Sequence, residues 1–176
     1  MKPAESRKRE LQDFNLPDSL RSEIENLMNA DDYKQHHQAK KNLIGRGETI
    51  LPYLHNLLKS EHPVTRRESA KILKQLKNPG SVQEMIPLLR DPVSEIRWIA
   101  ADTLIEIGKG SIKPVLEALV EYPSSFWLRK SAHRVLAEIV TQEDMHQLND
   151  LIQALDHGDE VPERIPVLAG QALRNI

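Results

Sequence analysis

The chain has 176 residues, 39% of them apolar and 28% charged, with 11 Pro, 7 Gly, no Cys and a formal net charge of −2. That length favours one domain, the apolar fraction is too high for a disordered chain, and the missing cysteines exclude disulfides, thiolate metal sites and cysteine nucleophiles. No stretch approaches the roughly 18 apolar residues that cross a bilayer, and the first ten residues lack the apolar centre of a signal peptide, so a soluble cytoplasmic protein is expected.

Residues 1–16 fit no repeat and read as an N-terminal tail or short cap. Residues 17–176 read as a single domain of helix pairs, in units of about 17–47, 48–78, 79–109, 110–141 and 142–176. In the first unit, Ala39 and Leu43 ahead of Gly45 suit a second helix. In the second, Leu57-Leu58-Lys59-Ser60 leads to Arg66, Ser69-Ala70 and Leu73; a shift of 31 residues gives Leu88-Leu89-Arg90-Asp91, Arg97, Ala100-Ala101 and Leu104. A further shift of 32 carries Arg97 to Arg129, Ala100 to Ala132 and Leu104 to Leu136.

The third unit shows the pattern most fully. Ser81 is expected to cap a first helix through Leu89, with Val82, Met85, Ile86 and Leu89 on one face, until Asp91-Pro92 breaks it. Ser94 is expected to cap a second helix whose buried stripe is Ile96, Ile99, Ala100, Thr103, Leu104 and Ile107, ended by Gly108 and Gly110. In the fourth unit Phe126 and Trp127 follow the turn Pro123-Ser124-Ser125 and are expected to staple it onto the stack. In the fifth, Ala169-Gly170 and Leu173 suit a second helix, with Pro166 where earlier units have arginine. Stacking of these stripes predicts a core of Leu54, Leu57, Leu58, Ile72, Leu73, Leu76, Ile86, Leu89, Ile99, Leu104, Ile107, Val115, Leu119, Val135, Leu136, Ile139, Leu148, Ile152 and Leu155.

The segment Asp91-Pro92-Val93-Ser94-Glu95-Ile96-Arg97-Trp98-Ile99-Ala100-Ala101-Asp102-Thr103-Leu104-Ile105-Glu106-Ile107-Gly108 resembles the HEAT-repeat family, in its short bacterial and bilin-lyase-like form. The resemblance implies an all-α fold, an α-solenoid (superhelix) of about five helix pairs. It also implies that Asp91 and Arg97 pair as turn aspartate and second-helix arginine, with Ser60 and Pro123 in the aspartate position of neighbouring units. Pro52, Pro87 and Pro114 would start or kink first helices, and second helices would line a concave surface.

The near-zero net charge conceals a division along the chain. Residues 33–77 carry +7, residues 1–32 carry −3 and residues 78–176 carry −6. Such asymmetry bears on partners. Helical register places His37 and Lys41, Arg67 and Lys71, Trp98 and Asp102, Lys130 and Arg134, and Val167 and Gln171 on the solvent side of successive second helices. The first eight of these form the candidate binding surface, with Trp98 as its aromatic anchor.

Catalytic chemistry finds little support. None of the seven histidines is spaced three or four from another, no H-E-x-x-H occurs, and the His-Glu pairs of the iron-dependent HEAT-repeat hydroxylases are absent, so no metal or cofactor is expected. His133 stands in the register of Ala101 and reads as a partly buried core histidine. Phosphate-cradling and serine-hydrolase motifs are missing, and Gly45-Arg46-Gly47 reads as a helix terminator. The expected function is a non-catalytic protein–protein interaction scaffold whose partner is acidic at the contact. The alternative is a nucleic-acid binder using the 33–77 block, since Trp98-x-x-x-Asp102 with Trp127-Leu128-Arg129 is similar to the arrangement of HEAT-like alkylpurine DNA glycosylases. The oligomeric state is not legible.

Overall fold

The computed structural model describes residues 9–29, 32–157 and 162–176, with no side chain described at 143–145. The chain divides into two compact units, Met1–Ser81 and Val82–Ile176, and each is described by itself. Among the described residues all regular structure is helical, which is the all-α solenoid class that the repeats predict.

In the first unit, α1 (Asp18–Met28) pairs with α2 (Tyr33–Gly45), and α3 (Leu51–Leu57) pairs with α4 (Pro63–Leu76). Local chemistry sets the boundaries. Asp32 accepts the Gln35 N–H at 3.0 Å and caps α2, while prolines open α3 and α4, where a missing N–H costs nothing. Gly47, at φ 59°, turns the chain after α2. The second helices α2 and α4 lie against each other, and Ile24, Leu27, Leu43, Leu54, Leu57, Ile72 and Leu73 fill the interior.

Residues 9–16 dock onto this unit. Leu11 and Leu16 are buried. The Glu10 carboxylate accepts the Ser60 hydroxyl at 2.6 Å and the Glu61 N–H at 2.7 Å, and Arg21 donates to the Leu11 carbonyl at 2.7 Å. Residues 9–16 therefore pack against this unit; residues 1–8 lie outside the described residues.

The second unit runs α5 (Val82–Met85), a 3-10 turn (Ile86–Arg90), α6 (Ser94–Ile107), a 3-10 turn (Lys109–Ser111), α7 (Ile112–Glu121), α8 (Phe126–Ile139), α9 (Gln142–Asp156) and α10 (Arg164–Asn175). The continuous first helix expected from Ser81 to Leu89 is instead one short α-helical turn followed by 3-10 structure. Pro87 cannot donate an i→i−4 bond and tightens the chain. Nor does Ser94 cap α6: the cap is Val93, whose N–H is taken by Asp91 Oδ1 at 2.8 Å. Gly108, at φ 87°, ends α6 as expected.

In the last pair the layers exchange. Second helix α6 packs on α8, yet α9, which follows, also packs on α8, and α10 packs on α7. Only Val140 and Thr141 link α8 to α9, whereas Gly108 and a 3-10 turn link α6 to α7, so the chain has no length to cross between layers at that point. Val167 and Gln171 on α10 therefore lie beside the first-helix layer and do not extend the second-helix face.

Three arginines in equivalent register close the turns. Arg66 Nη1 donates to the Ser60 and Glu61 carbonyls at 2.8 and 3.0 Å, Arg97 Nη1 to those of Asp91 and Pro92 at 2.6 and 3.1 Å, and Arg129 Nη1 to that of Pro123 at 2.9 Å. The Asp91–Arg97 link thus includes the aspartate's backbone carbonyl, a contact beyond the side-chain pair that the resemblance implies. Because the guanidinium reads a carbonyl, the residue at the turn can change from Ser to Asp to Pro without losing the bond. Of the expected core, Leu76, Ile86, Ile107 and Ile152 are half-buried and the rest are buried.

Candidate functional site

On the first unit the candidates come from α2 and α4. His37 and Lys41 are exposed, and with Lys40, Ile44 and Gln75 they line an open pocket of about 340 Å³; the Tyr33 ring stacks on His37 with centroids 6.0 Å apart. Arg67 and Lys71 are differently engaged. Between them lies Glu68, buried, whose Oε1 accepts from Arg67 Nε at 2.9 Å and from Lys71 Nζ at 3.3 Å, while Oε2 meets His36 Nε2 at 3.3 Å. Burial by itself would raise the Glu68 pKa, but the Arg67 hydrogen bond, the Lys71 charge and the His36 hydrogen bond together hold it below its ordinary value.

Register places Arg67 and Lys71 on the solvent side of α4, and the cluster adds that both turn back to support the fold. Both neutralise a carboxylate on the buried stripe. A sequence signal existed: the 31-residue shift takes Glu68 onto Ile99, so an acid stands where the repeat places a core residue.

On the second unit the candidates come from α6 and α8, which lie side by side. Trp98 is 58% exposed, and the Arg134 guanidinium lies over its ring at 3.5 Å. Arg134 Nη2 also bonds Asp102 Oδ1, so acid, guanidinium and indole form one connected group. Its spacing follows the repeat, since Asp102 and Arg134 occupy the same register one unit apart. Opposite charges at equal register in adjacent second helices were the sign of this pair.

The face continues toward the α8 N-terminus. Ser125 accepts the Leu128 N–H at 3.3 Å and starts α8, leaving Phe126 and Trp127 on its first turn. They do not staple the turn into the interior: they remain 39% and 47% exposed, ring against ring at 4.9 Å, edge-on. Arg97 covers the Trp127 ring at 3.9 Å, and Lys130 Nζ stands 5.9 Å from the Phe126 ring. The guanidinium that closes its own turn on the Asp91 and Pro92 carbonyls thus also covers a ring of α8. Sequence reasoning missed Arg97 and Phe126 as members of this surface, and set Trp127 beside Trp98 only in the nucleic-acid alternative.

The remaining predicted features fall elsewhere. His133 is partly buried, with Nε2 at 3.8 Å from Asp156. Among the described residues no three His, Asp or Glu side chains gather as a metal ligand set, and no helix is long and apolar enough to cross a membrane. Arg90 covers the Tyr122 ring at 3.6 Å beside a smaller pocket of about 180 Å³ on the first-helix side.

The model for HEAT repeats matches residues 23–105 and, in a second overlapping hit, residues 50–137. The chain belongs to the HEAT-repeat family. HEAT repeats are generally protein-interaction scaffolds. No curated protein and no solved structure matches the chain. The matched segments include both sets of candidate residues, His37 to Lys71 and Trp98 to Arg134, so each set belongs to second helices of HEAT units.

Proposed function

We propose that this HEAT-repeat protein is a non-catalytic cytoplasmic scaffold that binds a partner protein, acidic at the contact, through its second helices. On the first unit the contact is offered by His37 and Lys41, with Arg67 and Lys71 presenting what charge Glu68 leaves. On the second it is Trp98, Asp102, Lys130 and Arg134. The observation that carries the reading is Trp98: an indole left 58% exposed on a helix face, with the Arg134 guanidinium over its ring and Asp102 bonded to that guanidinium. Aromatic and arginine side chains dominate the energetics of protein interfaces, and a ring already fixed by its neighbours loses little freedom on binding. The absence of cysteine suits a reducing compartment.

The test is position-specific. A photo-crosslinking amino acid placed at Ser94, exposed one turn before Trp98 on α6, should trap a discrete protein that the same group at Val120, exposed on α7, does not. That protein, purified, should bind Trp98→Ala about 30-fold more weakly than the parent chain, the loss of roughly 2 kcal/mol that truncating an anchor causes. Equal binding by parent and Trp98→Ala would refute the proposal.

A further inference from the structure

The face between α6 and α8 has more structure than one anchor requires. Along it, three exposed rings alternate with three cations: Arg134 over Trp98, Arg97 over Trp127, and Lys130 beside Phe126. The pairing restricts what can dock. A ring face covered by a guanidinium at 3.5 or 3.9 Å is no longer open to a cation from a partner. What remains is the uncovered side of each ring, which favours apolar side chains, and the outer rim of each cation, which favours carboxylates or phosphates.

Charge separates those two anions. Residues 82–176 carry a net charge of −6, so the three cations are a local positive strip on an acidic unit. A nucleic acid brings a negative charge at every nucleotide and gains affinity from neutralising many of them. This strip offers three cations, one already bound to Asp102, and the surrounding unit repels a long polyanion. A peptide with a few acidic residues meets the strip without that cost.

Resting on the reading above, we infer that the α6/α8 face of the second unit docks a linear peptide segment in which acidic residues flank aromatic or aliphatic ones. The apolar side chains lie on Trp98, Trp127 and Phe126, and the carboxylates reach Arg97, Lys130 and Arg134. The partner is thereby narrowed from an acidic protein surface to a segment whose composition can be synthesised and varied.

Both tryptophans of the chain stand on this face, so intrinsic tryptophan emission reports its occupancy without a label. The full chain is titrated with a Trp-free peptide alternating Glu with Leu and Phe, with the same peptide carrying Gln for Glu, with one carrying Ser for Leu and Phe, and with an oligothymidylate. The Glu–Leu–Phe peptide should change the emission saturably, and each altered peptide should bind at least about tenfold more weakly. Lys130→Glu should lose most of the affinity while keeping the parent's circular dichroism; Lys113→Glu, on the exposed side of α7, should bind as the parent does. No emission change with the acidic peptide, or equal affinity for its Gln form, would overturn the inference. Tighter, steeply salt-dependent binding of the oligothymidylate would overturn it in favour of single-stranded nucleic acid. A protein trapped from Ser94, beside Trp98, despite failure of the peptide would leave the scaffold reading standing and refute only the peptide chemistry.

Discussion

Replacing Glu68 by Gln separates the cluster's charge from its shape. In the parent, the buried carboxylate accepts from Arg67 at 2.9 Å and from Lys71 and His36 at 3.3 Å each. A hydrogen bond to a charged group contributes about 1.5–3 kcal/mol net. All three partners retain solvent, at 29%, 33% and 24% side-chain exposure, which screens them. Loss of the charge also relieves its desolvation, so the expected cost of Glu68→Gln near neutral pH is about 1–2 kcal/mol. The sign of the pH dependence follows from the depressed pKa of Glu68. A carboxyl whose folded-state pKa lies below its unfolded value contributes stability above the unfolded value, and that contribution is lost as pH falls through the folded value. Urea denaturation followed by circular dichroism should therefore show parent and variant diverging at neutral pH. They should begin to converge as the solution is acidified below the ordinary carboxyl value of 4.5 and meet once pH has fallen through the lower folded-state value of Glu68, where its carboxyl is protonated and as neutral as the amide. Equal stability at neutral pH, or a gap that persists in acid, would refute the assignment of Glu68 as the buried counter-charge of Arg67 and Lys71.

Arg97→Ala removes two carbonyl bonds and a ring contact, so it should cost about 1–3 kcal/mol, against about 0.5–1 kcal/mol for Arg90→Ala, whose exposed side chain covers Tyr122; equal melting temperatures would contradict the turn-closing role. Ala101, 1% exposed on α6, should lose about 1–3 kcal/mol as Leu by overpacking, measured by thermal melting, with no loss expected if the α6 register is wrong. Gly108→Ala, forced to φ 87° and ψ −146°, should be destabilised by about 1–3 kcal/mol, whereas Gly110→Ala, with open space around it, should melt near the parent. Relative to free tryptophan, iodide quenching of the emission should be favoured over caesium quenching because Arg97, Lys130 and Arg134 neighbour the rings, and Lys130→Glu should narrow that difference.

Much of the fold was legible because the repeat writes the same stripe several times. Ile96, Ile99, Ala100, Thr103 and Leu104 are buried where the 3.6-residue period puts them, and Gly108 stops the helix. Element ends were harder to read where two local signals competed. Ser94 is a good cap by type, but the Asp91 turn captures the Val93 N–H first and sets the helix one residue earlier than the serine alone would. Pro87 was recognised as a disturbance, although how far it converts a first helix into 3-10 structure depends on packing that the repeat does not encode. The exchange of layers at α9 and α10 arose from the length of one connection, Val140 to Thr141, and apolar periodicity carries no information about that.

The site shows a different limit. Register correctly set His37, Lys41, Arg67, Lys71, Trp98, Asp102, Lys130 and Arg134 away from the core stripe, since none of them is buried. What register cannot supply is where a long side chain goes after it leaves its helix. Arg67 and Lys71 turn back to Glu68, and Arg134 bends over Trp98 while binding Asp102. Reversing Arg67 and Lys71 to Glu, which the sequence presents as a clean removal of positive charge, would bring two carboxylates beside a third that is already buried, and so would act on the fold as well as on any contact. Lys130 gives the cleaner reversal: it is exposed and its nearest ring is 5.9 Å away. A loss of binding in Lys130→Glu, with unfolding unchanged, therefore reports on the α6/α8 face itself, whereas the same loss in the Arg67 and Lys71 double variant would report mainly on Glu68.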